Sequence, residues 1–240
     1  MNQKGGVGKT TTLLNLAAVL SSANTNTASP EVPDQSSVLY VDTDKQASGA
    51  DAVQDAADAA AQAEQMTRGT VLNGRNLATG ESTGLPFDFL QATTPAEIRA
   101  VPAIAKKYRH TLVDTAGSFD DLSRSEAAIE IADFILVPML AEQMSRKPTE
   151  RTIETMIRPQ VGDNFAIVIV NWEARNGHGE LLSAVEWITE RGYPLMNTTI
   201  RKWTLVSKKT ICTVGRRTRP ALEVLGEFQA LAIETTQRGI

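Results

Sequence analysis

The sequence predicts a single α/β domain in which a mainly parallel β-sheet is flanked by helices. Short β-rich runs alternate with helix-like stretches almost throughout the chain, which is typical of strands joined by helical crossovers. Most of the β-rich runs are apolar on consecutive residues, as at 38–41 and 167–170, and strands that are covered on both faces have this composition. The length of 240 residues is enough to bury one substantial core.

The individual elements follow from these two patterns. Runs of aliphatic, aromatic or β-branched residues predict strands at residues 38–42, 87–91, 111–114, 134–138, 166–171 and 195–200. Stretches of helical character between them predict helices at residues 9–20, 95–108, 122–132, 148–157, 180–191 and 221–235. The first helix is strongly periodic, with Leu13, Leu16, Ala17 and Leu20 at helical spacing.

Two segments depart from this alternation. Residues 21–37 are rich in Ser, Thr, Asn and Pro, which predicts a long loop between the first helix and the first predicted strand. Residues 47–65 are rich in alanine and carry several carboxylates. That segment is interpreted either as a solvated acidic helix or as a helix that binds a partner.

Composition and charge exclude several classes of protein. The net charge of -4 argues against coating nucleic acid with the whole surface but permits a local basic patch. A single cysteine, Cys212, excludes an intramolecular disulfide and a multi-cysteine metal or iron–sulfur site. No apolar run reaches the length of a membrane span and no signal peptide opens the sequence. We therefore expect a cytoplasmic protein without a membrane partner.

A glycine-rich segment directly before the first predicted helix has the composition of a phosphate-binding loop. Gly5, Gly6 and Gly8 allow successive backbone N–H groups to turn toward an anion, because no Cβ blocks the torsions or keeps the phosphate at a distance. Lys9 adds a positive charge for the β- and γ-phosphates, and the Thr10 hydroxyl is the expected Mg²⁺ ligand. The helix that follows directs its N-terminal dipole at the phosphates. The segment therefore predicts binding of ATP and Mg²⁺.

Carboxylates follow two of the predicted strands at the positions where a nucleotide site is expected. Asp42 and Asp44 are two residues apart at the end of the first predicted strand, so both side chains can point to the same side. Asp114 ends the strand predicted at 111–114 and fits a carboxylate that holds Mg²⁺ directly or through water. Ligands bind at the carboxyl ends of parallel strands, so we expect all three carboxylates to face the phosphate loop.

These motifs resemble a known family. The loop departs from the general pattern G-x-x-x-x-G-K-T at Gln3 and adds a second lysine, Lys4. This combination resembles the deviant phosphate loop of the ParA/MinD group of ATPases, and most of all the ParA-type DNA partition proteins. The residues around Asp42 resemble the D-x-D-P-Q motif of that family, with Lys45 in place of the proline, and D-T-A-G from Asp114 is a common form of its Walker B motif. The resemblance covers most of the chain, although the specific motifs lie in the first 117 residues.

The resemblance implies roles for individual residues. Lys4 is expected to reach across a dimer to the phosphates of the partner's ATP, and Asp44 to orient the attacking water, so that the catalytic set is Lys4, Lys9 and Asp44. The nucleotide-binding residues are expected to be Gly5, Gly6, Val7, Gly8, Lys9, Thr10, Thr11, Gly117 and Asn171, the last near the adenine. The expected Mg²⁺ ligands are Thr10, Asp42 and Asp114.

A basic stretch without carboxylates lies at residues 191–222. In an acidic protein this asymmetry is local, and clustered Lys and Arg are typical of contacts to phosphates of a nucleic acid. The alternative is a solvated face that balances the acidic segment 47–65. By resemblance to ParA-like proteins we favour non-specific DNA binding. The candidate residues are Arg201, Lys202, Lys208, Lys209, Arg216, Arg217 and Arg219.

The resemblance implies a plasmid or chromosome partition ATPase. ATP is expected to close a homodimer that binds DNA, and a ParB-like centromere-binding protein to stimulate hydrolysis and release it, so that the protein associates with the nucleoid of a prokaryote. A MinD-like membrane-associated regulator is one alternative, but it needs a basic C-terminal helix, whereas residues 223–240 carry three glutamates against one arginine. A metabolic P-loop enzyme with a small-molecule acceptor is the other.

One feature does not fit a complete phosphate-binding fold. A phosphate loop lies between a strand and a helix, and only Met1, Asn2 and Gln3 precede Lys4. That is fewer than the roughly five residues of a typical strand. We therefore expect a single domain over residues 1–240 without its first strand, and a natural product that starts several residues earlier.

Overall fold

The computed structural model describes residues 1, 6–24, 37–44, 50–51, 53–58, 74–115, 122–175, 177–203 and 219–238. The strands of this part are β1 (Val38–Asp42), β2 (Asp88–Gln91), β3 (His110–Asp114), β4 (Ile135–Leu140), β5 (Phe165–Trp172) and β6 (Ile200–Arg201). The helices are α1 (Lys9–Asn24), α2 (Pro95–Ala105), α3 (Leu122–Glu130), α4 (Gln143–Thr152), α5 (Arg158–Val161), α6 (His178–Glu190) and α7 (Arg219–Gln237). A π-helical turn at Ile153–Ile157 joins α4 to α5.

The strands form two parallel three-stranded sheets. Their orders are β2-β1-β3 and β4-β5-β6, and every neighbouring pair within them is parallel. Parallel neighbours connected by helices are the arrangement that the alternation of the sequence predicts, so the predicted fold class is confirmed. β1 is the central strand of the first sheet, because it lies between β2 and β3. Its carboxyl end therefore lies between those of the other two strands.

Helices cover both faces of the sheets. In β1, which is buried at all five positions, alternate side chains enter different clusters. Tyr40 packs in a cluster with residues of α1, β5 and α7, whereas Leu39 packs in a cluster with residues of α2 and α3. A third cluster packs β4 and β5 against α6 and the π-helical turn. Burial on both faces explains why the strands are apolar on consecutive residues.

A cleft separates the two sheets. Within the described residues β3 pairs with β1 and β4 pairs with β5, and no ladder joins β3 to β4. A cavity of about 480 Å³ lies between them, lined by Leu112 and Val113 of β3 and by Leu136 of β4. Met1 lies in this cleft and its amino group donates a hydrogen bond to the Leu136 carbonyl. The expectation that a further strand precedes the phosphate loop stays a prediction.

Two element predictions are wrong in part. The helix predicted at 148–157 begins at Gln143 instead, with Pro148 inside it, and continues through the π-helical turn into α5. A proline in a helix removes one backbone hydrogen bond, which this long and partly buried segment tolerates. The strand predicted at 195–200 is reduced to β6, because the backbone N–H groups of Asn197 and Thr198 donate to Glu234 of α7. Those bonds interrupt the ladder after the isolated bridge between Leu195 and Ile167.

The two atypical segments are described in part. Residues 50–51 and 53–58 are helical, with Val53 and Ala56 buried and Asp51, Asp55 and Asp58 exposed. In this part the acidic face is therefore solvated while the opposite face packs in the core. The loop predicted at 21–37 is wrong over residues 21–24, which belong to α1, and residues 25–36 lie outside the described part. No helix in the described ranges is long and apolar enough to cross a bilayer.

Candidate functional site

The start of α1 has the backbone of a phosphate-binding loop. Gly6 and Gly8 adopt φ angles of 75° and 78°, a region that side chains with a Cβ rarely occupy. Val7 between them is completely buried, and Thr12 N–H donates to the Gly8 carbonyl at 2.8 Å as the helix begins. The two glycines are therefore needed for their torsions, as the sequence indicates. Lys4 and Gly5 lie outside the described residues.

The first turn of α1 meets the carboxyl end of β3. The Thr10 side chain is hydrogen-bonded to Asp114. Burial lowers the pKa of Lys9, and the carboxylates of Asp114 and Asp44 act in the opposite direction. The structure therefore brings the predicted phosphate-binding lysine and the predicted Mg²⁺-binding threonine to the predicted Walker B carboxylate.

Asp114 is a buried carboxyl group supported from several sides. Burial raises its pKa, and hydrogen bonds from Thr10 and Tyr40 together with the charge of Lys9 oppose that rise. The Tyr40 hydroxyl donates to Asp114 Oδ2 at 2.7 Å. Hydrogen bonds and a neighbouring cation favour the charged form of a carboxyl group, so the surroundings of Asp114 offset part of the cost of its burial.

Asp42 lies opposite Asp114 in the β1–β3 register. Its two carboxylate oxygens accept backbone N–H bonds from Asp44 and Ala50, each at 3.0 Å. The pKa of Asp42 is raised to about 6, mainly by burial and also by the neighbouring Asp114 and Asp44 carboxylates, against the opposing effect of those backbone bonds. A partly buried carboxylate with other carboxylates nearby is a place where a bound cation gains electrostatic energy.

The donor set fits Mg²⁺ rather than a metal held entirely by protein. Within the described ranges, no three His, Cys, Asp or Glu side chains lie close enough together to hold a metal ion. Mg²⁺ is usually bound through one or two carboxylates, with water and substrate phosphates completing its octahedron. Thr10 and Asp114, which are hydrogen-bonded to each other, and Asp42, the register partner of Asp114, supply oxygen atoms for such a site, so the residues fit the group.

Arg124 is a site residue that the sequence analysis missed. It is only 7% exposed, and its Nη1 donates to the carbonyl of Thr43, between Asp42 and Asp44. The signal in the sequence was its position on the apolar side of α3, since Arg124, Ala127, Ala128 and Ile131 recur at helical spacing. An arginine in such a stripe indicates a buried polar contact.

The remaining predicted nucleotide contacts, Asn171, Gly117 and Thr11, stay predictions. Asn171 is an exposed residue of β5 with a φ angle of 55°, beside an irregularity in the β5–β6 register. Left-handed conformations of non-glycine residues are uncommon and cluster at functional sites. Its contact with adenine stays a prediction. Gly117 lies outside the described residues, and Thr11 lies in the first turn of α1.

Basic residues in the described part of the stretch are paired with carboxylates that lie outside the stretch. Arg201 is bonded to Glu227 and Glu223 of α7, and its guanidinium lies 4.5 Å from the centre of the Trp203 ring. Further ion pairs join Arg191 to Glu150 at 2.8 Å, Lys202 to Glu173 at 3.5 Å and Arg219 to Glu223 at 3.0 Å. The fold therefore brings glutamates from other parts of the chain next to these basic residues. The remaining candidates for DNA contact, Lys208, Lys209, Arg216 and Arg217, lie outside the described part.

Comparison with known proteins identifies a family and a related protein. Residues 1–211 match the family described as CobQ/CobB/MinD/ParA nucleotide binding domain. The chain is 28% identical over 203 residues to maintenance of carboxysome distribution protein A from Gloeobacter kilaueensis, a match that covers 85% of this chain and 75% of that protein.

Solved structures share the fold over nearly the whole chain. The MinD cell division protein of Aquifex aeolicus is 18% identical with a TM-score of 0.67, and the match covers 100% of this chain and 96% of that one. A putative plasmid partition protein of Borrelia burgdorferi bound to AMPPNP is 17% identical with a TM-score of 0.66, covering 100% and 97%. The pNOB8 ParA bound to nonspecific DNA is 15% identical with a TM-score of 0.57, covering 99% and 96%.

The family match includes the phosphate loop, the three carboxylates and most of both sheets. The solved structures, at these low identities, show the shared fold. The resemblance inferred from the motifs is confirmed. The chain belongs to the CobQ/CobB/MinD/ParA nucleotide-binding domain family, whose ParA and MinD members are P-loop ATPases.

Proposed function

We propose that this protein is an ATP-dependent partition ATPase that binds DNA as a dimer and is released by stimulated hydrolysis. The observation that carries the proposal is the meeting of α1 with β1 and β3. Lys9 and Thr10 lie beside Asp114, and Asp42 is its register partner. A cation-lined turn that faces carboxylates is the arrangement that an ATP–Mg²⁺ complex requires.

Each residue of the site has a role in this proposal. The backbone from Gly5 to Gly8 and the Lys9 ammonium neutralise phosphate charge, and this positioning supplies most of the catalysis of phosphoryl transfer. Asp44 orients a water for attack on the γ-phosphorus, with ADP as the leaving group. Thr10, Asp42 and Asp114 would hold Mg²⁺ directly or through water, and the ion would further neutralise the charge of the phosphates.

Lys4 is proposed to complete the site of a second copy. In this arrangement its ammonium reaches the phosphates of the ATP bound by the partner subunit, so dimerisation requires ATP. The substitution Lys4→Ala is expected to leave ATP binding by the monomer intact and to prevent ATP-dependent dimerisation in light scattering. Normal dimer formation by this variant would contradict the role of Lys4.

DNA binding is proposed for the basic stretch, and its support is twofold. The stretch is locally basic in an acidic protein, and a protein of the same fold has been solved bound to nonspecific DNA. We propose that the closed dimer binds DNA without sequence preference and associates with the nucleoid. A ParB-like partner is proposed to trigger hydrolysis and release.

The decisive experiment compares DNA binding with ATP, with ADP and without nucleotide, at a fixed salt concentration. The partition ATPase is expected to bind only with ATP, because only the ATP-bound dimer presents two basic surfaces together. Lys9→Ala, which removes the phosphate contact, is the control and is expected to lose ATP-dependent binding. Equal binding in all three nucleotide states would reject the proposal.

The salt dependence of binding identifies the DNA contacts. Charge reversal at Arg216 and Arg217 is expected to weaken binding and to lower the slope of log K against log salt by about one for each lost phosphate contact. Arg99→Glu is the matched control, since Arg99 is half exposed and lies on α2. A slope equal to that of the unaltered protein would show that these arginines do not contact DNA phosphates.

Two observations bear on alternative functions. The Gloeobacter relative is named for carboxysome distribution, which favours a protein cargo as the object that the same DNA-dependent cycle positions. A MinD-like membrane role is disfavoured by α7, because its Val224, Phe228 and Leu231 are already buried in the core. Sedimentation with vesicles of anionic lipid distinguishes the DNA-dependent role from the membrane role. ATP-dependent co-sedimentation with the vesicles would support the membrane role. Turnover that requires a small-molecule acceptor and ignores DNA would indicate a metabolic enzyme.

A further inference from the structure

The peptide group that joins Thr43 to Asp44 is fixed on both sides by side chains. Its N–H donates to Asp42 Oδ1 at 3.0 Å, and its carbonyl accepts the bond from Nη1 of Arg124. A peptide group held by a donor on one side and an acceptor on the other has a defined orientation, since it is planar and rotates as a unit. These two contacts therefore fix the orientation of the peptide plane from which Asp44 continues.

Thr43 itself is anchored to β3. Its backbone N–H and its hydroxyl both donate to the Asp114 carbonyl, at 3.1 Å and 2.8 Å. The residue before Asp44 thus contacts the end of β3 and, through its own carbonyl, α3. Among these contacts, Arg124 is the one that comes from outside the two strands.

The burial of Arg124 calls for an explanation beyond packing. A guanidinium that is 7% exposed has lost most of its hydration, and burying a charge costs several kcal/mol unless polar partners compensate. Leu122 of the same helix is 49% exposed while Arg124 points inward. An arginine offers donors in a planar fork with a fixed geometry, which suits the holding of a carbonyl group in one orientation.

We propose that Arg124 is a positioning residue that holds the Thr43–Asp44 peptide group, and through it the Asp44 carboxylate, in the orientation needed for water attack. This inference rests on the proposed ATPase function. In this role Arg124 acts through the backbone carbonyl of Thr43. Loss of the contact affects the orientation of Asp44 and leaves the phosphate-binding turn of α1 unchanged.

Kinetics test the role directly. Arg124→Gln is expected to lower kcat for ATP hydrolysis by about ten- to a hundredfold, the range of cost for a misplaced catalytic group. The Kd for ATP, measured by calorimetry, is expected to change little. Arg124→Lys retains a cationic donor and is expected to recover part of kcat. A parallel loss of ATP affinity and kcat, or an unchanged kcat, would overturn the proposal.

A double-mutant cycle separates positioning from general damage. If Arg124 acts through Asp44, then Arg124→Gln costs nothing further in the Asp44→Asn background, because residues that act as a unit are not additive. Additive losses would overturn the inference. The matched control is Arg99→Gln, which removes an arginine bonded to Glu130 of the same helix at 2.8 Å and is expected to leave kcat unaltered.

A second measurement does not depend on turnover. Hydrogen exchange followed by mass spectrometry reports the Asp44 amide, which is bonded to Asp42. Exchange in the segment that contains it is expected to accelerate in Arg124→Gln and to stay unchanged in Arg99→Gln, at equal thermal stability of the two variants. An unaltered exchange rate would overturn the inference even if hydrolysis is slow. If the unaltered protein fails to hydrolyse ATP while exchange responds as expected, the proposed function fails and the positioning of Asp44 by Arg124 stands.

Discussion

Asp42 and Asp114 are register partners at the carboxyl ends of β1 and β3. Both are buried, and the pKa of each is raised mainly by its burial. Two carboxyl groups that are costly to ionise in the same place gain most from a cation between or beside them. This relationship gives a physical reason for Mg²⁺ at the edge of the sheet that faces α1.

Removal of the phosphate-binding lysine is expected to abolish nucleotide binding. In Lys9→Ala the cation beside Asp114 and Asp44 is lost, so the site keeps its carboxylates without the charge that attracts phosphate. Titration with ATP by calorimetry is expected to show no binding. The control is Lys147→Ala, which removes an exposed lysine of α4. Unchanged affinity in Lys9→Ala would falsify the assignment of the phosphate loop.

Removal of the Tyr40 hydroxyl is expected to destabilise the fold. Tyr40 is fully buried and donates to Asp114 at 2.7 Å, so Tyr40→Phe keeps the ring and leaves the carboxyl group with one donor fewer. The free energy of unfolding in urea is expected to fall by about 1.5–3 kcal/mol, the range for a hydrogen bond to a charged group. Tyr193→Phe is the control because its bond to Glu154 is only partly buried, and its loss is expected to be smaller. Equal losses in both variants would contradict the importance of the Asp114 contact.

The free energy of unfolding is expected to decrease at acidic pH because of protonation of the His110 imidazole. Burial, and secondarily the charge of Arg109, lowers the pKa of His110. The unfolded chain therefore takes up a proton near pH 6.5 while the folded chain does not, and stability falls as the pH decreases from 6.5 toward the lower pKa of the folded state.

Urea unfolding between pH 8 and pH 5 checks this dependence. The variant His110→Asn is expected to lose less stability over that range than the unaltered protein. The sequence contains two histidines, so His178→Asn, at an exposed position, is the natural control for the loss of an imidazole. A slope that His110→Asn leaves intact would assign the dependence to other groups.

An added strand is expected to fill the cleft between β3 and β4. We expect five apolar residues fused ahead of Met1, the length of β3, to extend between the two edges, because the cleft is lined by Leu112, Val113 and Leu136. Apolar burial and ladder hydrogen bonds both favour the extended form. Thermal unfolding is expected to shift upward relative to the unextended chain. A Gly-Ser extension of equal length is the control, and equal melting temperatures for both extensions would show that the cleft does not take a strand.

The elements that the sequence predicted well are those specified by neighbouring residues. β1 was predicted with its observed bounds, because the consecutive apolar residues 38–41 leave no helical periodicity. All five positions of the strand are buried in the structure. α1 and its glycine-rich start were predicted because torsion requirements at Gly6 and Gly8 are local. The interruption of the predicted strand at 195–200 was missed, since it depends on Glu234, which lies 36 residues from Thr198.

By itself, the sequence determined the phosphate loop, the carboxylates at the strand ends and the parallel α/β class, because spacing and backbone torsions along one segment specify each of them. Only the tertiary structure decided that Arg124 donates a hydrogen bond to the Thr43 carbonyl, 81 residues away, and that Arg201 forms an ion pair with Glu227. Such contacts depend on which helices and strands become neighbours. Packing of the whole core determines which elements become neighbours, and the pattern of residues along one segment does not predict it.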